Sequence, residues 1–214
     1  MPSSIRSALA LLTVLASIAC AGEAPTAPQG CSVSEAVSVG DATFHLVAQN
    51  SWVIPEKEPS SDIKFWLVIN NTSAGPIQVN LFDTISFILV DGAGKKINCA
   101  SGRDKTRVPP PIVIEKGASV TIDRPAKLEK GNTPGAYKLT GSDGAGGWWW
   151  FDGLQSGNYT ISMTCSNTQK SWEHLLETPA KKSIADAKTT PFWIGSAVTK
   201  ELIIDINKKV PPRP

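Results

Sequence analysis

The sequence predicts an all-β fold, an antiparallel β-sandwich with long loops and a short helical insert. Apolar residues recur with a period of two in short segments, as they do in strands that cover a core with one face. Residues typical of turns separate these segments. Only residues 171–187 have helical character, and Pro179 restricts it to short pieces. Short strands with turns at this spacing favour a sandwich over an alternating α/β fold.

The clearest predicted strand is Asp62–Asn70, which carries a single apolar face made by Ile63, Phe65, Leu67 and Ile69. Three further strands follow, separated by turns at 70–76 and 91–94: residues 77–81, 84–90 and 96–99. We expect these four segments to be consecutive antiparallel neighbours.

The second half of the chain repeats this pattern. The longest predicted strand in it is 154–165, where Tyr159, Ile161 and Met163 share one face. The other strands predicted here are 112–114, 119–122, 134–139, 148–151, 192–195 and 202–206. The predicted sandwich domain spans residues 35–207, and the proline-rich residues 208–214 form a predicted disordered tail.

The N-terminus predicts an export signal over residues 1–19. One positive charge, Arg6, precedes an apolar run that begins at Ala8 and ends in small residues before Cys20. The run is too short to span a bilayer, which needs about 20 apolar residues. Residues 17–20 resemble a bacterial lipobox, which implies lipidation of Cys20 and a tether over residues 20–34. The alternative is ordinary cleavage after Ala21, which yields a freely secreted or periplasmic protein.

The charge balance excludes nucleic acid as the main partner. Without residues 1–19 the chain carries 20 basic and 19 acidic residues, since Arg6 is the only charged residue removed. Phosphate binding needs a clustered positive field, and the basic residues form no run.

Cysteine usage predicts one disulfide. The four cysteines show no metal-type spacing, and lipidation of Cys20 leaves three. We expect Cys99 to pair with Cys165, because both lie at ends of predicted strands, while Cys31 is an alternative partner for either.

The sequence gives no sign of catalysis, of a cofactor or of a metal site. Neither His45 nor His174 stands in a nucleophile elbow, zinc motif or phosphate loop. Residues 142–146 have the glycines of a tight turn, but they lack the alternating oxygen ligands of a calcium loop. We therefore predict a protein that is not an enzyme.

The run Trp148, Trp149, Trp150 and Phe151 is the predicted ligand-binding segment. In a strand, Trp148 and Trp150 point to one side and Trp149 and Phe151 to the other, and only one side can face the core. The opposite side is either exposed for a ligand or covered by residues 166–192 with Trp172 and Trp193.

Several turns carry a family resemblance. The pattern made by residues 70–77, 91–95, 114–117 and 154–159 resembles immunoglobulin-like sandwiches of bacterial envelope proteins. It is also similar to the BsuPI-type proteinase inhibitor domain. The resemblance implies an immunoglobulin-like topology, with residues 192–206 as a closing strand pair. The export signal and the tryptophan run are not part of the inhibitor pattern.

These observations predict a membrane-anchored module of the cell envelope that binds a protein or a glycan. The alternative is a proteinase inhibitor that presents the loop 103–111 to a protease. Arg107 is its candidate inhibitory residue, followed by three prolines that lower the ordering cost of binding.

Overall fold

The computed structural model describes residues 25–81, 84–103, 110–143, 147–168 and 190–206. Within these ranges the chain forms eighteen β-strands and no α-helix, which confirms the all-β prediction. The strands are β1 Cys31–Val33, β2 Val37–Val39, β3 Ala42–Gln49, β4 Ser51–Trp52, β5 Ser60–Ile63, β6 Phe65–Asn71, β7 Ile77–Val79, β8 Ile85–Asp91, β9 Lys96–Ile97, β10 Ala100–Arg103, β11 Ile112–Ile114, β12 Ser119–Asp123, β13 Ala126–Lys130, β14 Tyr137–Ser142, β15 Gly147–Leu154, β16 Gly157–Asn167, β17 Gly195–Val198 and β18 Leu202–Ile206.

The strands form three larger sheets and one small one. The first sheet has the order β1-β3-β6-β12, with β2 also paired to β3. The second has the order β10-β15-β14-β13-β5, and the third β4-β18-β16-β8-β9, with β17 also paired to β16. Strands β7 and β11 form a two-stranded sheet. All of these pairs are antiparallel except β4 with β18, and open antiparallel sheets of this kind are consistent with a β-sandwich.

Most of the predicted strand neighbours are wrong. The segment 62–70 divides at Lys64 into β5, which pairs with β13 in the second sheet, and β6, which lies in the first sheet. Strand β7 pairs with β11 and β8 pairs with β16, so only β8 and β9 are consecutive neighbours as expected. The closing strands β17 and β18 do not pair with each other, because both pair with β16.

One apolar core joins the three larger sheets. A continuous series of ring contacts runs through Trp52, Phe65, Phe87, Trp149 and Phe151, with centroid separations of 4.4–6.0 Å. Trp52 and Phe87 belong to the third sheet, Phe65 to the first, and the last two residues to the second. The sheets therefore bury their apolar faces against one another, as expected for a sandwich.

The predicted disulfide between Cys99 and Cys165 is not formed. Cys31, Cys99 and Cys165 are all free thiols in the described part of the chain. Cys165 lies on β16, whereas Cys99 follows β9, and β8 separates those two strands. Two strand spacings are about 9.5 Å, whereas bridged cysteines have Cα atoms within about 7 Å of each other. Cys31 lies in the first sheet, on β1.

Several predicted features fall outside the described residues. These are the export signal at 1–19, the lipidation site Cys20, the helical insert at 171–187 and the tail at 208–214. The folded part begins before residue 35, since β1 lies within the expected tether and pairs with β3. In the described ranges the chain contains no apolar helix of the length that a membrane crossing requires.

Candidate binding surface

Strand β15 separates the aromatic run into two faces, as its alternation predicts. Trp149 and Phe151 point into the core and are 8% and 0% exposed. Trp148 is 40% exposed and Trp150 is partly exposed, so these two lie on the outer face of the second sheet. The four-residue binding segment is thereby reduced to two candidates, because Trp149 and Phe151 are packed in the core. We call the outer pair, Trp148 and Trp150, the indole platform.

Trp148 is placed by small neighbours on both adjacent strands. It lies opposite Gly102 on β10 and Ser142 on β14. A Cβ atom added at Gly102 would come within 2.7 Å of the indole atoms Cε2 and Cζ2, so the ring lies across this glycine. Only a residue without a side chain leaves room for that position. The absence of a side chain at Gly102 therefore allows the indole to lie against the sheet.

Trp150 has a similar but more polar setting. Its cross-strand neighbours are Ala100 on β10 and Thr140 on β14. The Nζ atom of Lys138 lies 5.6 Å from the ring centroid of Trp150, within the range of a cation–π contact. Side chains two residues apart on a strand are about 7 Å apart, so the indole platform is a patch of two rings bordered by hydroxyl groups and one ammonium group.

An ion pair fixes the end of the sheet next to Trp148. Arg103 donates from Nη2 to Oδ2 of Asp143 over 2.9 Å, which joins the end of β10 to the end of β14. The other carboxylate oxygen of Asp143 accepts the backbone N–H of Gly147 at 2.8 Å. The start of β15, and with it Trp148, is thus anchored on both sides.

Trp193 does not cover the indole platform. Its ring packs on Phe44 at a centroid separation of 4.8 Å, and its Nε1 donates to the carbonyl oxygen of Val39 at 3.0 Å. Both partners belong to the first sheet. Trp193 therefore does not support the alternative in which residues 166–192 cover the outer rings, and Trp172 lies outside the described residues.

A second concave site lies where the first and second sheets meet. This cavity of about 330 Å³ is lined by Asp62, Lys64, Trp66 and Asp123, with Ile63, Pro125 and Ala126. Trp66 and Asp123 are directly opposite each other on β6 and β12. The sequence did not predict this cavity, because residues 62–66 meet residues 123–126 only through pairing of distant strands.

The remaining sequence candidates contribute no described site. His45 is buried, and its Nδ1 lies 3.1 Å from the carbonyl oxygen of Ser34, so it is part of the first sheet. Arg107 and His174 lie outside the described ranges. Among the described residues, no three side chains of the metal-ligating types come together.

One buried charge was missed by the sequence analysis. Arg124, between β12 and β13, is only 7% exposed. Its place between a strand ending in Asp123 and a proline gave no signal of burial. The two glycines that accommodate the tryptophans, Gly102 and Gly141, were missed as well, since only the strand register brings them opposite the indoles.

Comparison with known proteins gives no further assignment: no family model, no curated protein and no solved structure matches this chain.

Proposed function

We propose that this chain is an exported binding module with an immunoglobulin-like sandwich, anchored to a membrane through Cys20. It holds a protein or glycan ligand at the cell envelope and performs no catalysis. The observation that carries this proposal is the indole platform, because Trp148 and Trp150 lie on an outer sheet face while the same strand already supplies the core.

Packing in the core does not explain why tryptophans stand at positions 148 and 150. The core face of β15 is filled by Trp149 and Phe151, which continue the series of aromatic contacts between the sheets. Trp148 and Trp150 add nothing to that series, yet the sheet accommodates Trp148 by placing Gly102 opposite it. Large exposed aromatic side chains are enriched at binding sites, where they supply flat apolar area and an N–H donor.

The surroundings of the platform suit an amphipathic ligand. Thr140 and Ser142 place hydroxyl groups beside the rings, and Lys138 adds a positive charge next to Trp150. A ligand with apolar faces and polar edges, such as a sugar ring or a protein side-chain cluster, can contact both kinds of group at once.

The proposal is tested by retention of the protein on cell-envelope material. The double variant Trp148→Ala, Trp150→Ala is expected to bind at least about tenfold more weakly, as loss of two interface anchors implies. Ile203→Ala is the control, because Ile203 is also an exposed apolar side chain but lies on the third sheet. It should bind like the unaltered protein.

Two fractions of the cell envelope distinguish a glycan ligand from a protein ligand. Protein-free cell-wall glycan tests the glycan, and a detergent extract of envelope proteins tests the protein partner. Equal retention of the double variant and the unaltered protein on both fractions would contradict the proposal. Circular dichroism of each variant shows whether the fold is intact.

A further inference from the structure

The outer face of the second sheet links the indole platform to the cavity lined by Trp66. One row of directly opposed residues crosses this sheet: Trp150 on β15, Thr140 on β14, Lys127 on β13 and Asp62 on β5. Opposed residues of an antiparallel sheet lie on the same face, so the whole row shares the outer face with Trp150. The row is about 14 Å long, the width of three strand spacings. It ends at the cavity, because Asp62 is one of the lining residues.

This row is open to solvent and polar in its centre. Asp62 and Lys127 are exposed, and Thr140 and Trp150 are partly exposed. Aromatic rings stand only at the two ends, with the indole platform at one end and Trp66 at the other. Protein–protein interfaces have the opposite arrangement, in which an apolar centre lies inside a polar rim. The distribution therefore favours a glycan, whose hydroxyl groups need polar partners along the whole chain.

The cavity offers hydrogen-bonding groups that the protein does not use. Asp62 and Asp123 are exposed, and neither carboxylate has a hydrogen bond or an ion pair with any described residue. The indole N–H of Trp66 has no hydrogen-bond partner among those residues either. Carboxylates accept hydrogen bonds, whereas the indole N–H and the ammonium group of Lys64 donate them. A sugar hydroxyl group does both, so it finds partners of both kinds in this cavity.

The charges around the row and the cavity nearly cancel. Carboxylates and ammonium groups alternate over this surface, and both kinds are partly or fully exposed: Asp62, Asp123, Glu129 and Asp152 are acidic, and Lys64, Lys127 and Lys138 are basic. A polyanion or a polycation requires a surface with a strong field of one sign. The mixed charges of this face therefore suit an uncharged chain that forms many hydrogen bonds.

We infer that the indole platform and the cavity are the two ends of one binding face for an extended, uncharged glycan chain. This inference rests on the proposed function, since it names the ligand class of the indole platform. The apolar faces of sugar rings lie on the indoles at either end, while hydroxyl groups along the chain contact Thr140, Lys127 and the cavity carboxylates. Once one end is bound, binding at the other end is intramolecular, so affinity rises with chain length until both ends are occupied.

The test compares a disaccharide and a hexasaccharide, both released from the protein-free cell-wall glycan, by calorimetric titration of the full chain. The hexasaccharide should bind at least about tenfold more tightly, because only the longer chain reaches both ends of the row. In the double variant Asp62→Ala, Asp123→Ala this ratio of affinities should fall to about two or less, since the cavity has lost its acceptors. Both side chains are exposed, so the fold is expected to persist.

The control is the double variant Asp41→Ala, Glu201→Ala. It also removes two exposed carboxylates, but Asp41 lies between β2 and β3 and Glu201 lies between β17 and β18, outside the second sheet. Its ratio of affinities should equal that of the unaltered protein. Equal binding of the two fragments by the unaltered protein, or the same loss in both double variants, would overturn the inference.

Failure of this inference differs from failure of the proposed function. Capture of an envelope protein with no binding of either fragment would overturn the inference and leave the indole platform with a protein ligand. Equal binding of both fragments, lost in Trp148→Ala, Trp150→Ala, would leave a glycan site confined to the platform. The proposed function itself fails when that variant is retained like the unaltered protein on both envelope fractions.

Discussion

At the scale of single residues, two glycines determine where the tryptophans of β15 lie. Gly141 on β14 stands opposite Trp149 on the core side, and Gly102 on β10 stands opposite Trp148 on the outer side. In both places a Cβ atom would overlap the indole ring. Neither glycine has a side chain to pack, and a large ring lies against the sheet in its place. Such a ring is known to offset the destabilising effect of glycine in strands.

Gly141→Ala should therefore destabilise the protein. The added methyl group would meet Cζ2 and Cε2 of Trp149, which is itself fixed between Phe87 and Phe151. Overpacking of this kind costs about 1–3 kcal/mol. Denaturant unfolding measures the change. Gly75→Ala is the control, because no atom lies within 4 Å of its Cβ position, and it should change stability little. A similar loss in both variants would contradict this account.

Cys165 is the second residue with a testable effect, because its thiol makes the stability of the protein depend on pH. Burial raises the pKa of its thiol from 9.0 to about 12, although the nearby Arg124 acts to lower it. In the unfolded chain the thiol loses its proton near its ordinary pKa. The contribution to stability is thus fully present below pH 9.0 and is lost as the pH rises towards about 12.

Cys165→Ala should flatten the fall in the free energy of unfolding between those two pH values, by up to about 1.4 kcal/mol per pH unit. Urea unfolding at several pH values measures the slope. Cys31→Ala is the comparison: the pKa of Cys31 is also raised by burial, but its side chain is partly exposed, so the slope should change less. Identical slopes for the unaltered protein and Cys165→Ala would refute the assignment.

At the scale of elements, the sequence predicted strand faces well and strand neighbours poorly. The alternation of Ile63, Phe65, Leu67 and Ile69 correctly gave four buried residues, because a period of two is a local property of the chain. The same pattern did not show that the chain changes sheets at Lys64. Pairing depends on residues far apart in sequence, which alternation does not encode.

Strand β18 offers a direct test of which strand face is buried in the core. Ile203 is 69% exposed, whereas its neighbour Ile204 is 1% exposed. Ile204→Ala should lower the free energy of unfolding by about 2–5 kcal/mol, since it leaves a cavity in the core. Ile203→Ala should change it by less than about 0.5 kcal/mol. Equal effects in thermal or denaturant unfolding would mean that the faces are assigned incorrectly.

About half of the arrangement of the candidate site could be predicted from the amino-acid pattern. It identified the aromatic run and the fact that one side must leave the core, but not which side. That choice follows from the register, which places Trp149 beside Phe87 and Trp148 across Gly102. The burial of Arg124 could not be predicted from the sequence, because its hydrogen-bond partners are Phe65 on β6 and Asp143 after the end of β14.

At the scale of the whole molecule, the aromatic series from Trp52 to Phe151 joins the three larger sheets into one core. Trp148 and Trp150 lie on the outer face of the second sheet and take no part in this series. The central claim is that the two faces of β15 have different roles. One face holds the fold together, and we propose that the other face contacts a ligand.

The seven tryptophans provide the most direct test of that claim. Their indole N–H signals can be followed by NMR while protein-free cell-wall glycan or envelope protein extract is added. We predict that the signals of Trp148 and Trp150 shift or broaden, whereas those of Trp52, Trp149 and Trp193 stay in place because these rings are buried. Shifts confined to Trp66, or no shift at Trp148 and Trp150 with either material, would contradict it.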